Sequence, residues 1–216
     1  MAPADVLVVM ARQPTPGAVK TRLAARVGKA AASALYRGFL TDIAATLGDG
    51  PWQLTWAVTP ADADLRPIVG ASARCLAQRG DELGARMRHC FADLFAAGAG
   101  RVVMIGADAP HLGRDRVAAA FAALDGADVA LTPTRDGGYC LIGLNAERDV
   151  FSGVAMGGPH VFGQTVRRIA DLGLRPSIQP GTFDVDEWDD VVLLRKLLND
   201  GAVDLPATAA ALARWR

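Results

Sequence analysis

Residues 6–23 read VLVVMARQPTPGAVKTRL: a short apolar run, a loop holding two prolines and a glycine, and a basic helix start. A run as brief as Val6, Leu7, Val8 and Val9, bounded by charge and proline, suits a strand buried on both faces. Such a strand implies a parallel sheet with helices on either side. The loop after it leaves the strand's carboxyl end, where open α/β sheets bind their ligands. Arg12, Lys20 and Arg22 lie within that loop and helix start. Arg offers a planar fork and Lys a compact point charge, a combination suited to an anion with several phosphates. Gly17 would let the backbone approach such a ligand. The stretch is neither GxxxxGK[ST] nor GxGxxG, which disfavours a P-loop NTPase and a simple dinucleotide-binding dehydrogenase. An ordinary turn before a solvated basic helix is the competing reading.

Composition narrows the field. A chain of 216 residues has room for one α/β domain with a full core, so a single domain over 1–216 is expected. Lys plus Arg and Asp plus Glu number 23 each, so no global field draws the chain to nucleic acid or an anionic membrane. Any anion site must be local. Hydrophobic residues make up 51%, yet no run approaches the roughly 18 to 20 needed to cross a bilayer. The first apolar segment is too short for a signal peptide, and a cytoplasmic location is expected. Cys75, Cys90 and Cys140 are widely spaced and read as reduced. His89, His111 and His160 are scattered without metal-ligand spacing, which argues against zinc.

Helical spacing runs from residue 21 to about 47 through Leu23, Val27, Ala31, Leu35, Phe39, Ile43 and Leu47, as one helix or two broken near Gly28. Strands are expected at 53–58 and, more weakly, at 74–78. Asp81 is a candidate N-cap for a helix whose buried stripe would be Leu83, Met87, Phe91, Leu94 and Phe95. Arg86 and Arg88 read as a solvated face. Residues 102–105 form another strand that runs into Gly106, Ala107 and Asp108. A carboxylate just past a buried strand can meet a metal or a ribose hydroxyl, or it can cap the next helix, near Leu112.

Further helices are expected at 114–124 and 161–172, and strands at 129–133 and 177–179. Asp136, Gly137 and Gly138 signal a tight hairpin, with 139–144 returning as an antiparallel strand. In FDVDEWDD, Asp184 and Asp186 alternate with Phe183 and Val185, so an extended backbone points both carboxylates the same way. Two such carboxylates repel unless a cation reconciles them. The other reading has Asp186 capping a helix over 187–198. A final Ala-rich helix is expected over 204–216.

Five blocks in order, MARQPTPGAVKTRL, QRGDELGARM, IGADAPHL, PTRDGGYCLIGL and FDVDEWDD, resemble a bacterial family of glycosyltransferase-like proteins of unassigned substrate. That family lies within the nucleotide-diphospho-sugar transferase superfamily. The first block is also similar to molybdenum-cofactor and phospholactate guanylyltransferases. The resemblance implies a Rossmann-like three-layer α/β/α sandwich of GT-A type, with a mostly parallel sheet and one antiparallel strand. It implies nucleotide binding by Ala11, Arg12, Pro14, Gly17, Lys20 and Arg22, with Gln78 and Asp81 near the base or ribose. Asp108, with Asp184 or Asp186, would hold Mg2+ or Mn2+. Asp136, Gly137 and Gly138 would face the acceptor or transferred group, and Asp108, Lys20 and Asp136 would be catalytic. The DxD of sugar transferases is represented by Asp108 alone, because position 106 is Gly.

Three functions follow from that resemblance. The first is glycosyl transfer from a nucleoside diphosphate sugar to a small-molecule acceptor. The second is nucleotidyl transfer from a nucleoside triphosphate to a phosphorylated acceptor, with release of pyrophosphate. The third is a nucleotide-binding module without catalysis. No nucleic acid and no membrane span are expected, and a homodimer is an open expectation.

Overall fold

The computed structural model describes Ala4–Trp215. Its elements in order are β1 (Asp5–Arg12), α1 (Thr21–Val27), α2 (Lys29–Leu47), β2 (Gln53–Thr59), α3 (Arg66–Val69), β3 (Arg74–Ala77) and α4 (Leu83–Ala96). There follow β4 (Arg101–Gly106), α5 (Gly113–Ala123), β5 (Val129–Pro133), β6 (Tyr139–Leu144), α6 (Val161–Asp171), β7 (Pro176–Ile178), α7 (Trp188–Asn199) and α8 (Pro206–Leu212). A 3-10 turn, Pro110–Leu112, lies between β4 and α5.

Strand β1 is the hinge of the architecture. Leu7, Val9 and Ala11 enter a core shared with Leu23, Leu35 and Phe39, whereas Val6 and Val8 enter a second core with Met87 and Phe91. Leu7, Val8 and Val9 are each 0% exposed, and their burial stabilises by about 1.5–3 kcal/mol apiece. A strand apolar on both faces demands cover on both, and the helices supply it. The seven strands order as β3-β2-β1-β4-β6-β5-β7. All neighbours are parallel except β6, which runs antiparallel to both β4 and β5. This is the mixed, mostly parallel sheet expected from the blocks.

The chain adds β2 and β3 on one side of β1 and then crosses to β4 on the other. The reversal of winding opens a crevice between the carboxyl ends of β1 and β4. Arg12 ends β1, Gly106 ends β4, and the loops from both meet there.

Several local expectations change. Of the two readings of the long helical pattern, the structure takes the second, two helices broken at Gly28. Helix α3 is four residues long, too short to show periodicity in the sequence. Glu82, not Asp81, holds the N-cap position of α4, with no side-chain cap bond, and Leu83 is 49% exposed instead of joining the buried stripe, because the first residue of α4 faces the crevice. Arg86 and Arg88 keep their exposed contacts within the chain: Arg86 donates to the Gly80 and Asp81 carbonyls, and Arg88 reaches Asp149. Among the described residues the last helix spans Pro206–Leu212, and position 216 of the expected helix lies outside them. Among the described residues, no helix is long and apolar enough to cross a membrane, and the three cysteines are free thiols.

Candidate functional site

The loop after β1 is held from within the chain. The Arg12 N–H donates to the Tyr36 hydroxyl at 3.0 Å, and Ser33 Oγ donates to the Pro14 carbonyl at 2.6 Å. Gly17 lies at φ 86°, and the Arg12 guanidinium curls back toward the Ala18 carbonyl. The loop ends at Lys20, whose φ of 48° makes it the one non-glycine with positive φ among the described residues. Left-handed backbone at a bulky residue costs energy and persists where surrounding contacts over-determine it.

Those contacts are electrostatic. The Lys20 side chain is 2% exposed, and its Nζ pairs with Asp108 Oδ1 and, at 3.0 Å, with Asp186 Oδ1. It also lies 5.6 Å from the Phe39 ring centroid and 5.8 Å from that of Tyr36. Burial by itself would lower the Lys20 pKa, but Asp108 and then Asp186 outweigh it and the net shift is upward. Lys20 is therefore a cation at any pH near neutrality.

Two arms bring the carboxylates to it. Asp108 follows β4, and Asp184 and Asp186 follow β7. The Val185 N–H donates to the Asp108 carbonyl at 2.9 Å, which ties one arm to the other. His111 and Thr182 brace the junction through a 2.8 Å contact between Nε2 and Oγ1, and the His111 ring stacks on Phe183 with centroids 4.2 Å apart. Burial pushes His111 down to about 4, so this brace stays neutral.

Neither aspartate is a helix cap. The 3-10 turn after Asp108 has Ala109 at its N-cap position and no side-chain cap. Helix α7 is capped by Glu187 in a reciprocal box with Asp190, which leaves the Asp186 carboxylate to Lys20. The alternation of Asp184 and Asp186 places both on the lining of one cleft. Asp184 Oδ1 is buried without a hydrogen-bond partner among the described residues. Burial first, then Asp108 and Asp186, raise its pKa to about 7.

Two carboxylates thus share one ammonium with a third beside them, and the unpartnered Asp184 oxygen marks where further positive charge would be favourable. Among the described residues no closed cage of three or more His, Cys, Asp or Glu is formed. Mg2+ is commonly held by one or two carboxylates plus substrate phosphates, so this donor set fits that use without such a cage.

The cleft encloses about 490 Å3 and is lined by Arg22, Asp136, Gly138, Asp184 and Asp186, with an apolar part that includes Met87 and Met104. The Arg22 guanidinium lies 3.5 Å from Glu187, both exposed. The hairpin at its far wall is shaped by Asp136, whose Oδ1 accepts from Thr134 Oγ1 at 2.6 Å and from the Gly138 N–H at 3.0 Å. The Gly137 carbonyl accepts from the Phe162 N–H at 2.9 Å, docking the hairpin on the start of α6. Burial raises the Tyr139 phenol to about 12, so it stays protonated.

The sequence-predicted residues therefore divide. Lys20, Arg22, Asp108, Asp136, Gly138, Asp184 and Asp186 gather around the crevice. Ala11 is buried with its carbonyl taken by Gln78, Pro14 gives its carbonyl to Ser33, and both shape the loop. Gln78 Nε2 bridges the Ala11 and Ala57 carbonyls, and Asp81 is exposed on the turn before α4, outside the cleft lining. Tyr36, which pins the loop and flanks Lys20, is not among the sequence-predicted site residues; it stands one position after Leu35 of the helical stripe, and its spacing carries no sign of the contact to the Arg12 N–H.

A family model described as "Uncharacterized protein conserved in bacteria" (DUF2064) matches residues 42–158. A crystal structure from Desulfovibrio desulfuricans G20, provisionally described as a nucleotide-diphospho-sugar transferase, is 34% identical, covering 97% of this chain and 94% of that one with a TM-score of 0.89. A nucleotidyl transferase from Methanothermobacter thermautotroptrophicus is 12% identical, covering 92% of this chain and 99% of that one with a TM-score of 0.60. The 2-C-methyl-D-erythritol 4-phosphate cytidylyltransferase from Thermus thermophilus is 16% identical, with 91% and 99% covered and a TM-score of 0.55. The last two share the fold. Among curated proteins none matches.

Proposed function

The chain belongs to the bacterial DUF2064 family, and from that premise we propose that it is a metal-dependent transferase acting on a nucleotide-activated donor. The favoured reaction is glycosyl transfer from a nucleoside diphosphate sugar to a small acceptor. The reading is carried by the Lys20, Asp108 and Asp186 cluster at the winding reversal, with Asp184 beside it and Arg22 on the same cleft. It is supported by the description of the 34% identical relative.

In glycosyl transfer the acceptor oxygen bonds to the anomeric carbon, its proton passes to a base, and the nucleoside diphosphate leaves with the electrons of the broken bond. Charge therefore grows on the diphosphate. A divalent ion held by Asp108 with Asp184 or Asp186 would supply electrostatic stabilisation there. Lys20 fixes a second positive charge, buried and already oriented, so little reorganisation is needed as the reaction proceeds. Arg22 reaches the open side of the cleft, where its fork can engage a phosphate once released from Glu187. Asp136 is the candidate base. The bonds from Thr134 and Gly138 fix one of its oxygens, and the other has no partner among the described residues.

Nucleotidyl transfer is the second reading, favoured by Gly106 in place of the first aspartate of DxD. There an acceptor phosphate oxygen bonds to the α-phosphorus and pyrophosphate leaves. Thermal shifts with nucleoside triphosphates, diphosphates and nucleotide sugars, each with and without Mg2+ or Mn2+, separate the two, because native-state ligands raise Tm. A metal-dependent shift largest with one nucleotide sugar supports glycosyl transfer. A shift confined to one triphosphate selects nucleotidyl transfer, and no metal-dependent shift removes the proposed metal site.

A further inference from the structure

The cleft has two chemically different halves. Met10, Met87, Met104 and Met156 all line it, and the four pack together in one apolar cluster with Ile142. Met87 and Met104 are buried, at 6% and 2% exposed, and come from α4 and β4. Ile142 and Val161 add aliphatic surface, and Leu83, 49% exposed, stands at the first position of α4 on the same lining. Against this half stand Asp136, Asp184, Asp186 and Arg22.

The methionine, leucine, isoleucine and valine side chains offer no N–H or O–H. A sugar or phosphate pressed against them would lose its hydrogen bonds to water and gain none, which costs free energy for every polar group buried. An apolar body meets no such penalty. Flexible, polarisable thioethers adapt to its shape, which is their usual role at apolar binding surfaces. A cleft of about 490 Å3 has the size of a small-molecule site.

We propose that the methionine-lined half of the cleft binds the apolar body of an amphiphilic small-molecule acceptor, whose oxygen-bearing end lies toward Asp136 and the Asp184–Asp186 pair. This rests on the transferase reading above for the role of acceptor, but the apolar site can be tested by itself. The bound acceptor would cover Leu83.

The test is NMR of the full chain labelled with [methyl-13C]methionine, in which the methyls of Met10, Met87, Met104 and Met156 are each assigned by a single Met→Leu substitution. The probes are 1-octanol and, as its polar counterpart, glycerol. The expected result is a saturable shift of the Met10, Met87, Met104 and Met156 methyls with 1-octanol, and none with glycerol at equal concentration. Leu83→Ser, at an exposed position, should weaken 1-octanol about tenfold while leaving the circular dichroism unchanged. Equal shifts with glycerol, no shift with 1-octanol, or undiminished binding by Leu83→Ser overturns the proposal.

The same samples are titrated with UDP, GDP and CTP plus MgCl2. Displacement of 1-octanol by a nucleotide alone would assign the pocket to the nucleoside and also overturn it. Nucleotide stabilisation without 1-octanol binding removes this inference and leaves the transferase standing. Methionine shifts with 1-octanol, without stabilisation by any nucleotide or nucleotide sugar, keep the apolar site and remove the transferase.

Discussion

Lys20 Nζ lies 3.0 Å from Asp186 Oδ1 across 166 residues of chain, and the same ammonium pairs with Asp108. One buried charge thus joins the loop after β1, the loop after β4 and the segment before α7. Losing it removes the fixed cation of the crevice and leaves carboxylates facing each other. Lys20→Met is expected to lower kcat/KM by about 10²–10³, the usual cost of deleting one electrostatic stabiliser. Steady-state kinetics with the donor found by the thermal screen check this. A loss below about tenfold would reduce Lys20 to a structural role.

Asp184 gives the site a pH dependence whose sign can be worked out. Burial, Asp108 and Asp186 raise its folded pKa to about 7 from the ordinary carboxylate value of 3.8. The folded state therefore holds this proton more tightly than the unfolded chain. The resulting stability is full below the unfolded pKa and is lost as pH rises through about 7. Metal-free protein is expected to show a Tm that falls between about pH 4 and 7 and levels off above, and Asp184→Asn should flatten that change. A divalent ion at the proposed site would compete with the same proton, so the Mg2+-induced rise in Tm should grow over the same interval in the wild type. A Mg2+ effect independent of pH would take Asp184 out of the proposed metal site.

Parts of this arrangement are legible in the sequence and parts are not, for physical reasons. Strands β1, β4, β5 and β6 are buried on both faces or follow glycine turns, so apolar runs betray them. Asp108 and the Asp184–Asp186 alternation are equally visible because they follow strand positions. The burial of Lys20 is not, since it depends on partners at positions 108 and 186. Leu83 fits the helical stripe by spacing but sits where α4 meets the crevice, a tertiary fact that periodicity does not carry. The methionine half of the cleft is assembled from β1, α4, β4 and the loop before α6, no one of which contains it.

Asp42 is another such non-local residue. It is 1% exposed in α2, and its two oxygens accept from the Ala207 N–H at 3.0 Å and the Thr208 N–H at 2.7 Å. It thereby satisfies amides that the first turn of α8 cannot pair itself. Asp42→Ala is expected to cost about 2 kcal/mol, which for a chain of this size lowers Tm by about 4–8 °C. Donor affinity should be unchanged, because Asp42 is outside the cleft lining. Urea denaturation and nucleotide titration on the same variant measure both.

Gly137 sets how close the hairpin stands to the loop before α6. It lies at φ 87°, and a Cβ built there would fall 2.0 Å from the Pro159 carbonyl oxygen. Real Cβ atoms do not approach backbone so closely, so a side chain must push the hairpin away. The Gly137 carbonyl would then lose the Phe162 N–H, and Asp136, one residue earlier, would move with it. Gly137→Ala is expected to destabilise by about 1–3 kcal/mol, from strain at positive φ and the lost contact. If Asp136 serves the acceptor side, the variant's acceptor KM should rise and kcat should fall while donor affinity stays within about twofold. Isothermal titration with donor and steady-state kinetics with varied acceptor distinguish the two sides. Equal losses on both would place the hairpin at the nucleotide instead.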